Sequence, residues 1–455
     1  MEMTRRDRIN RTSRLAGAWL VVWLAAMPGW ARPDLDTAAL EALRPLATPL
    51  ESPEDLDPLL ARATSVRLVL LGESTHGTSE FYSWRAEISK RLIREHDFRF
   101  LAVEGDWADI YRLNRYVKGL PGAEKDARGI MQSFRRWPTW MWANEETLEL
   151  IEWMRVHNLR RPMEERAGFY GMDVYGDEQA LAALMTKLDA LDADLAEEAR
   201  AIYGIYEPYA GDARRYGQLL SQGRSFAPDA EQGYRLLQER TLDLLEDNPA
   251  ARLNILQSAR VLLNAEAHYR AMFMPHLNSW NARADHFFQT VERLLEHYGA
   301  GAQGIVWAHN THIGDARATP MADQGDRNIG MAARTTLGAQ QVFSVGFGTY
   351  RGTAIAGRFW GAPPQRMTLP PGGPGSVEEL MNGLGMEAAW MVFDPKADLA
   401  ALSAPRGHRA VGVVYNPERE FPGNYVPTRL TERYDAFLFF RDTRALRPIS
   451  ARSEP

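Results

Sequence analysis

The sequence predicts an α/β fold in which helices flank a mainly parallel central sheet and an inserted helical lobe lies over a cleft. Three observations predict this architecture. Seven short runs of β-branched and aromatic residues are nearly continuous in their apolar character, as in strands buried on both faces. Helical patterns separate the first of these runs, as in a parallel sheet with crossover helices. Between Glu178 and Tyr298 only helical patterns occur.

The predicted strands follow one another along most of the chain. They comprise residues 66–71, 98–103, 168–172, 304–308, 341–345, 410–414 and 436–440. Helical spacing of apolar residues fills Glu80–Glu95 and Asn144–His157 and resumes at Ala180. The segment Trp360–Gly375 is rich in Pro and Gly and lacks periodicity, so we expect an ordered rim loop there.

The N-terminus has the order of a secretory signal peptide. Five arginines precede the apolar stretch Leu15–Met27, and Gly29 and Ala31 are the small residues that a signal peptidase reads. The apolar stretch is shorter than the roughly 20 residues of a spanning helix, so removal is favoured over a membrane anchor. We therefore expect a periplasmic or secreted protein without stable membrane insertion.

These features divide the chain into four predicted parts. Residues 1–31 form the signal peptide, 32–177 the first part of the α/β catalytic core, 178–300 the helical lobe and 301–455 the second part of the core. The strand-free block can also be read as helices that simply cover the sheet, and the sequence does not separate these two interpretations.

Charge and composition exclude several classes of function. The formal charge is -6, and removal of residues 1–31 takes away five Arg and two acidic residues, which leaves -9. A mildly acidic domain has no electrostatic reason to bind nucleic acid or an anionic membrane. The absence of cysteine excludes disulfides, thiolate metal sites and a cysteine nucleophile. The sequence also lacks a GxxxxGK[ST] phosphate loop and a GxGxxG helix start.

Polar residues directly follow four of the predicted strands. Glu73 and His76 follow the first strand, Glu104 the second, Asp173 the third and His309 the fourth. The carboxyl ends of parallel strands line the ligand crevice of an open sheet, so these residues are expected at one rim. A single acidic residue in such a position is often only a helix cap, but four strands in concert indicate a polar cleft.

The sequence Glu73-x-x-His76 lies between Gly72 and Gly77, which permit a tight turn with backbone close to a ligand. An adjacent carboxylate can orient a histidine ring, and this makes His76 a natural general base for water. The alternative is a histidine that only satisfies the turn. His76 stands where the closing glycine of a nucleophile elbow would be, which argues against Ser74 as a nucleophile.

Two further candidates come from the strand end at Glu104 and from the predicted helix after His76. Burial would raise the pKa of Glu104 and suit it to donate a proton, or an arginine partner would keep it charged. Arg85 is the candidate partner, and a surface position on its helix is the alternative.

His309-x-x-His312 follows the fourth predicted strand. If both rings point inward, they could bind a transition-state oxyanion or a metal. A divalent metal is conceivable because carboxylates and imidazoles are suitable ligands, but the spacing matches no well-known zinc signature. We therefore expect no cofactor as the first interpretation. Glu266 and Arg270 lie one turn apart on a predicted helix, where an exposed ion pair is the plain alternative.

Several segments in this order resemble the erythromycin esterase family over nearly the whole mature chain. They are LGESTHGTSE at 71–80, VEGDW at 103–107, PTWMW at 138–142, GFYGMD at 168–173, NAEAHYR at 264–270, VWAHNTHIGDAR at 306–317 and VGFGT at 345–349. The resemblance implies a hydrolase that cleaves a carboxylic ester, in some members a macrolide lactone such as that of erythromycin, without a covalent intermediate. Other members are known from a polysaccharide-biosynthesis context. A helical lobe over the cleft is a further expectation from the family.

The resemblance also assigns roles to residues. It implies that His76 is the general base, that Glu73 orients it, and that Glu104, Arg85 and His309 complete the catalytic cleft. As substrate-binding residues we predict His312, Asp173, Trp107 and Glu266. The expected partner is a small-molecule ester.

Two other functions remain open at this point. A metal-dependent hydrolase could use the same Glu and His residues as ligands. A non-catalytic protein that binds an envelope polysaccharide could use Trp137, Trp140 and Trp142 to stack on sugar rings, although these three side chains also suit a hydrophobic core.

Overall fold

The computed structural model of the protein describes residues 33–394 and 396–450. The predicted signal peptide, residues 1–31, lies outside them. Within the described ranges, no helix combines the length and the apolar character that crossing a membrane would require.

The strands form one large sheet and one small sheet. The large sheet contains β1 (Thr48–Pro49), β2 (Leu68–Leu71), β3 (Phe100–Asp106), β4 (Gly168–Asp173), β5 (Gly304–Trp307), β6 (Val342–Ala356), β7 (Gln365–Leu369), β8 (Ala388–Val392) and β11 (Ala436–Thr443). The small sheet pairs β9 (Arg406–Arg409) with β10 (Tyr425–Thr428).

The large sheet is mainly parallel. Its parallel strands lie side by side in the order β11-β6-β2-β5-β3-β4. Antiparallel strands extend it at one edge, where β8 pairs with β11 and β1 with β8, while β7 pairs with the far half of β6. The predicted α/β fold with a mainly parallel, helix-flanked sheet is therefore confirmed.

The helices precede, connect and cover these strands. Those before β4 are α1 (Pro33–Leu43), α2 (Asp57–Ala63), α3 (Ser79–His96), α4 (Trp107–Lys118), α5 (Ala127–Gln132) and α6 (Glu145–Asn158). Between β4 and β5 lie α7 (Asp177–Leu191), α8 (Ala193–Tyr203), α9 (Ala213–Ser221), α10 (Ala227–Leu244), α11 (Pro249–Phe273) and α12 (Ser279–Tyr298). The remaining helices are α13 (Asn310–Ile313), α14 (Ile329–Leu337), α15 (Val377–Asn382) and α16 (Leu430–Arg433).

Both faces of the parallel strands are buried. Along β2, Val69 and Leu71 belong to a core shared with α3 and α6, whereas Leu68 and Leu70 belong to a core shared with α12 and α14. Strands buried on both faces are apolar throughout because successive side chains point to opposite sides of the sheet. This explains why the strand runs could be recognised in the sequence.

The helices between β4 and β5 divide into two groups by the core they share. Helices α7 to α11 enclose a hydrophobic cluster of their own, with Leu195, Leu237 and Leu262 at its centre. Helix α12 instead packs against the sheet through residues such as Phe287 and Val291. Ala180 of α7 and Val261 of α11 also belong to this sheet core, so α12 supplies most, but not all, of the contacts between residues 177–298 and the sheet.

One predicted strand is wrong. Residues 410–414 form only isolated bridges, because the Val411 N–H bonds to the Ser74 carbonyl and the Gly357 N–H to the Val413 carbonyl, both in loops. The adjacent strand β9 was not predicted because it is polar. Its Arg409 and His408 are buried through pairs with Glu420 and Glu378, at 2.7 Å each.

Candidate active site

The carboxyl ends of four adjacent parallel strands bring the candidate residues together. Glu73 follows β2, Asp173 ends β4, and His309 is the N-cap of α13 directly after β5. Glu104 lies within β3, where the pairing with β4 shifts register between Val103 and Asp106. Such an irregularity re-aims the side chains of a strand, which here turns the Glu104 carboxylate toward its neighbours across the rim.

Glu73 links a histidine to an arginine. Its Oε1 lies 2.8 Å from His76 Nδ1, and its Oε2 lies 2.6 Å from Arg85 Nη2. A carboxylate can only accept, so Nδ1 carries a proton and Nε2 is the ring nitrogen with a free lone pair. His76 thereby has the tautomer that a general base for water needs.

Arg85 is fully buried, so the surface alternative is wrong, and its partner is Glu73 rather than the predicted Glu104. Its guanidinium also lies 4.4 Å from the ring centre of Tyr82 and 4.6 Å from that of Trp307. The flat faces of these rings stabilise the cation. Arg85 is therefore fixed behind Glu73, away from solvent.

Arg283, on α12, is the partner of Glu104. Its Nη2 lies 2.9 Å from Glu104 Oε1 and 2.7 Å from Asp173 Oδ2, and its Nε lies 2.9 Å from Asp173 Oδ1. The second oxygen of Glu104 accepts the backbone N–H of His309 at 2.9 Å. Burial opposes ionisation of Glu104, but His312, His76 and Arg283 hold its pKa well below its usual range. The predicted raised pKa is therefore wrong, and the charged alternative is correct.

His309 is a neutral donor. The backbone N–H and the hydroxyl of Thr311 lie 3.3 and 2.9 Å from His309 Nδ1, so Nδ1 accepts and the proton sits on Nε2. Burial and the nearby His76 lower the pKa of His309 well below its ordinary value. Its Nε2 is buried without a partner, and the ring centre lies 4.9 Å from that of His76. This N–H makes no hydrogen bond within the protein, although the Ser74 backbone lies close enough to act on the pKa of the ring.

His312 lies beside the carboxylate cluster. Its Nε2 is 3.4 Å from Glu104 Oε1 and 3.3 Å from Arg283 Nη1, and its Nδ1 is buried without a partner. The ring stacks on Trp280 with centres 4.7 Å apart and planes tilted by 11°. The predicted substrate-binding residues His312 and Asp173 thus both contact Arg283.

The buried charges of this rim do not balance. Four carboxylates face three arginines: Glu73, Glu104, Asp106 and Asp173 against Arg85, Arg136 and Arg283. Burial lowers the pKa of His76, but the carboxylates of Glu104 and Glu73 outweigh it and raise the pKa above 6.5. The two carboxylates, Glu104 and Glu73, therefore strengthen His76 as a proton acceptor.

The glycines of the turn serve the protein's own packing. A side chain at Gly72 would collide with the Asn310 side chain, and one at Gly77 with the backbone of Ile355 on β6. Both glycines were predicted to let the backbone approach a ligand. Their observed role is to let β2, β6 and α13 meet where the His76 turn begins.

Two predicted substrate-binding residues lie away from the cleft. Trp107 is 1% exposed, stacks on Tyr170 and donates to Asn254, so it is a core residue. Glu266 does pair with Arg270, but it is buried inside the helical segment, where it also accepts the hydroxyl of Tyr216. These two predictions are wrong because both side chains are already enclosed by protein partners.

The three tryptophans near residue 140 divide between the core and the rim. Trp140 and Trp142 are core residues, and Trp142 Nε1 donates to the Glu104 carbonyl at 2.8 Å. Trp137 is half-buried and its ring centre lies 4.8 Å from that of Trp360, which is 51% exposed. The core interpretation is thus confirmed for two of them, and the third belongs to an exposed aromatic pair.

The donor set does not suit a metal ion. Each oxygen of Glu73, Glu104 and Asp173 already binds a cation or an N–H. Among the described residues, no three acidic or histidine side chains are grouped so that they could hold a metal. Carboxylates neutralised in this way are poor ligands for a divalent cation.

Arg283, Trp280 and Tyr175 contribute to the site but were not predicted. They lie in no recognisable sequence motif. One signal for Arg283 was present, because the predicted rim held three carboxylates, Glu73, Glu104 and Asp173, with Arg85 as the single arginine. A buried excess of two negative charges requires a second cation.

Comparisons with known proteins identify the family and the fold. A family model described as erythromycin esterase matches residues 93–443. This range contains Glu104, His309 and His312, and it begins after Glu73 and His76.

Three solved structures share the fold. A Bacillus cereus protein is 19% identical with a TM-score of 0.75, and the match covers 91% of this chain and 99% of that one. A succinoglycan biosynthesis protein is 20% identical with a TM-score of 0.72, covering 92% and 100%. An open-conformation histidine-to-asparagine mutant of the erythromycin esterase EreC is 16% identical with a TM-score of 0.57, covering 87% and 95%. At these identities the structures establish the fold alone.

Proposed function

Because the chain belongs to the erythromycin esterase family, we propose that it is a hydrolase that cleaves a carboxylic ester with a water molecule activated by His76. One observation carries the proposal. The base His76, oriented by Glu73, lies beside the unpaired N–H of His309, with ring centres 4.9 Å apart. A base and an oxyanion donor at this separation are the two groups that attack by water on an ester requires.

The proposed reaction begins with proton transfer. His76 Nε2 takes a proton from water while the water oxygen bonds to the ester carbonyl carbon. The positive charge on the ring is stabilised by Glu73, which Arg85 holds in place. The carbonyl oxygen becomes an oxyanion and accepts the Nε2–H of His309.

Collapse of the tetrahedral intermediate completes the reaction. The carbonyl re-forms, the bond to the alcohol oxygen breaks, and this oxygen takes the proton from His76 Nε2. The products are an acid and an alcohol, and no covalent intermediate with the protein is formed. The side chain of Ser74 is fully buried, in keeping with a reaction that does not use it as a nucleophile.

The test uses the purified mature chain with erythromycin and a panel of simpler esters. With the wild type we expect one product heavier by one water from erythromycin, whose ester is part of a ring, and an acid plus an alcohol from each simple ester that is cleaved. We expect a loss of about 10²–10⁴-fold in kcat/KM for His76→Gln and little change for Ser74→Ala. Intact-protein mass spectra during turnover should contain no adduct. An acyl adduct, or a His76→Gln variant as active as the wild type, would refute the mechanism.

The substrate itself is a separate part of the proposal. A macrolide lactone is the first candidate, and an ester of the cell envelope is the second if no macrolide is hydrolysed. Export to the periplasm or the cell exterior is proposed from the N-terminal sequence pattern. Cell fractionation with an antibody to the chain tests it, and a product in the cytoplasm with residues 1–31 retained would contradict it.

A further inference from the structure

Tyr175 contacts both the charged rim and the helical segment. It lies two residues beyond the end of β4, and its hydroxyl is 3.1 Å from Nε2 of His268 on α11. The centre of its ring lies 5.3 Å from the guanidinium of Arg283 and 5.0 Å from that of Arg136. The tyrosine ring therefore lies against two of the three arginines that neutralise the rim.

The hydrogen bond between Tyr175 and His268 has a fixed direction. His268 Nδ1 lies 2.9 Å from the Ser279 carbonyl, which can only accept, so the proton is on Nδ1. Nε2 is then the acceptor for the Tyr175 hydroxyl. Burial lowers the pKa of His268 to about 4, so this arrangement persists at neutral pH.

His268 also holds the beginning of α12. Ser279 is the first residue of that helix, and Arg283 follows about one turn later. The same end of α12 carries Trp280, which stacks on His312. A displacement of this helix end would therefore move several groups of the rim together.

We propose that Tyr175 and His268 are positioning residues that hold the first turn of α12, and with it Arg283, against Glu104. Through them, helices α7 to α11 determine how closely Arg283 is held to Glu104, and therefore how much negative charge acts on His76. The inference rests on the proposed function only for its effect on catalysis, because the protonation of His76 can be measured without a substrate.

The sign of the effect follows from the charges around His76. The acidic groups around His76 are Glu73, which follows β2, and Glu104 of β3. The basic groups are Arg85 of α3, Arg283 of α12, His309 after β5 and His312 of α13. Arg283 opposes protonation of His76. A less firmly held Arg283 compensates Glu104 less well, so the titration midpoint of His76 should rise.

Two substitutions remove the same hydrogen bond from its opposite ends. Tyr175→Phe keeps the ring between the arginines but loses the hydroxyl. His268→Asn keeps a donor for the Ser279 carbonyl at the position of Nδ1 but loses the acceptor for Tyr175. Tyr234→Phe is the matched control, because it removes a hydroxyl bonded to Arg260 within the helical segment.

The measurement is an NMR titration of the histidine rings in the full mature chain, with the His76 signal assigned from His76→Gln. We expect both variants to raise the His76 midpoint by up to about half a pH unit. The double variant should shift it no further than either single one, because the two substitutions break one interaction. Tyr234→Phe should leave it unchanged.

Several outcomes would overturn the inference. The inference is wrong if folded Tyr175→Phe has the same His76 titration midpoint as the wild type. If His268→Asn fails to fold, Tyr175→Phe alone provides the test. Additive shifts in the double variant, or an equal shift in Tyr234→Phe, would also contradict the inference. If the midpoint rises as expected but the wild type hydrolyses no ester, the proposed function fails and the positioning role remains.

Discussion

At the scale of single residues, the protonation of His76 depends on the buried charges around it. Burial opposes protonation, but Glu104 and Glu73 raise the pKa of His76 above 6.5. A general base acts only when unprotonated, so kcat/KM should rise with pH and level off above pH 6.5. Initial rates on a hydrolysed ester between about pH 5 and 9 measure this. A midpoint below that value would mean that Glu104 does not act on the base.

Arg283 should be a sensitive cation of the rim, because it pairs with two buried carboxylates. Arg283→Met leaves Glu104 and Asp173 buried with less compensation, so we expect a loss of about 3–5 kcal/mol in the free energy of unfolding. Urea denaturation measures it. The control is Arg327→Met, since Arg327 pairs with Asp285 at the surface and should contribute no more than about 1 kcal/mol. Equal effects of the two substitutions would contradict the assigned role.

At the scale of elements, the turn that carries His76 depends on close packing against β6. A Cβ at Gly77 would collide with the carbonyl of Ile355, so Gly77→Ala should cost about 1–3 kcal/mol and reduce activity. Thermal or urea unfolding of the variant checks the cost. Gly301→Ala is the control, because open space surrounds that position. If the two variants are equally stable, the turn is not held by β6.

The segment Trp360–Gly375, predicted to be a loop without regular structure, contains strand β7, and Trp360, which pairs with the half-buried Trp137, comes just before that strand. Trp360 is 51% exposed and contacts Trp137, whose ring also packs near Gly357 at the end of β6. If this pair contacts the substrate away from the reacting bond, Trp360→Ala should raise KM by roughly two- to tenfold with kcat nearly unchanged. Leu242→Ala, an exposed position in the helical segment, is the control. A fall in kcat at constant KM would indicate a role in the chemical step instead.

At the scale of the whole molecule, buried neutral histidines should make stability depend on pH. Burial lowers the pKa of His286 to about 3 and that of His268 to about 4. Burial, with repulsion from His76, likewise lowers the pKa of His309 far below 6.5. The unfolded chain binds protons at these residues below about pH 6.5 and the folded chain does not, so stability falls as pH falls.

The expected slope between about pH 6.5 and 5 is roughly 1–3 kcal/mol of unfolding free energy per pH unit. His76 acts in the opposite direction, since its raised pKa adds stability that is lost as pH rises through its folded value. Urea denaturation at a series of pH values measures the sum. His286→Gln should reduce the slope by the contribution of about one bound proton. An unfolding free energy that does not depend on pH in the wild type would contradict the prediction.

Local sequence determined the parallel strands and the polar residues that end them. Strands buried on both faces are apolar throughout, so six of the seven predicted runs coincide with strands of the large sheet. Glu73, Glu104, Asp173 and His309 could be placed at one rim because the carboxyl ends of parallel strands lie on one side of a sheet. The wrongly predicted strand at 410–414 and the unpredicted strand β9 depart from this rule, since their partners are loops and buried charges. Four further strands, β1, β7, β8 and β10, were not predicted either.

Only the tertiary structure decided which partner each polar residue has. Arg85 pairs with Glu73 and Arg283 with Glu104, and Trp107 and Glu266 lie away from the cleft. These pairs join residues as far apart in the chain as Glu104 and Arg283, and a pairing of that kind follows from how α12 packs on the sheet. The pattern of apolar residues in the sequence indicates which side of an element is buried. Which charged group lies next to each buried polar group depends instead on how elements distant in sequence pack together.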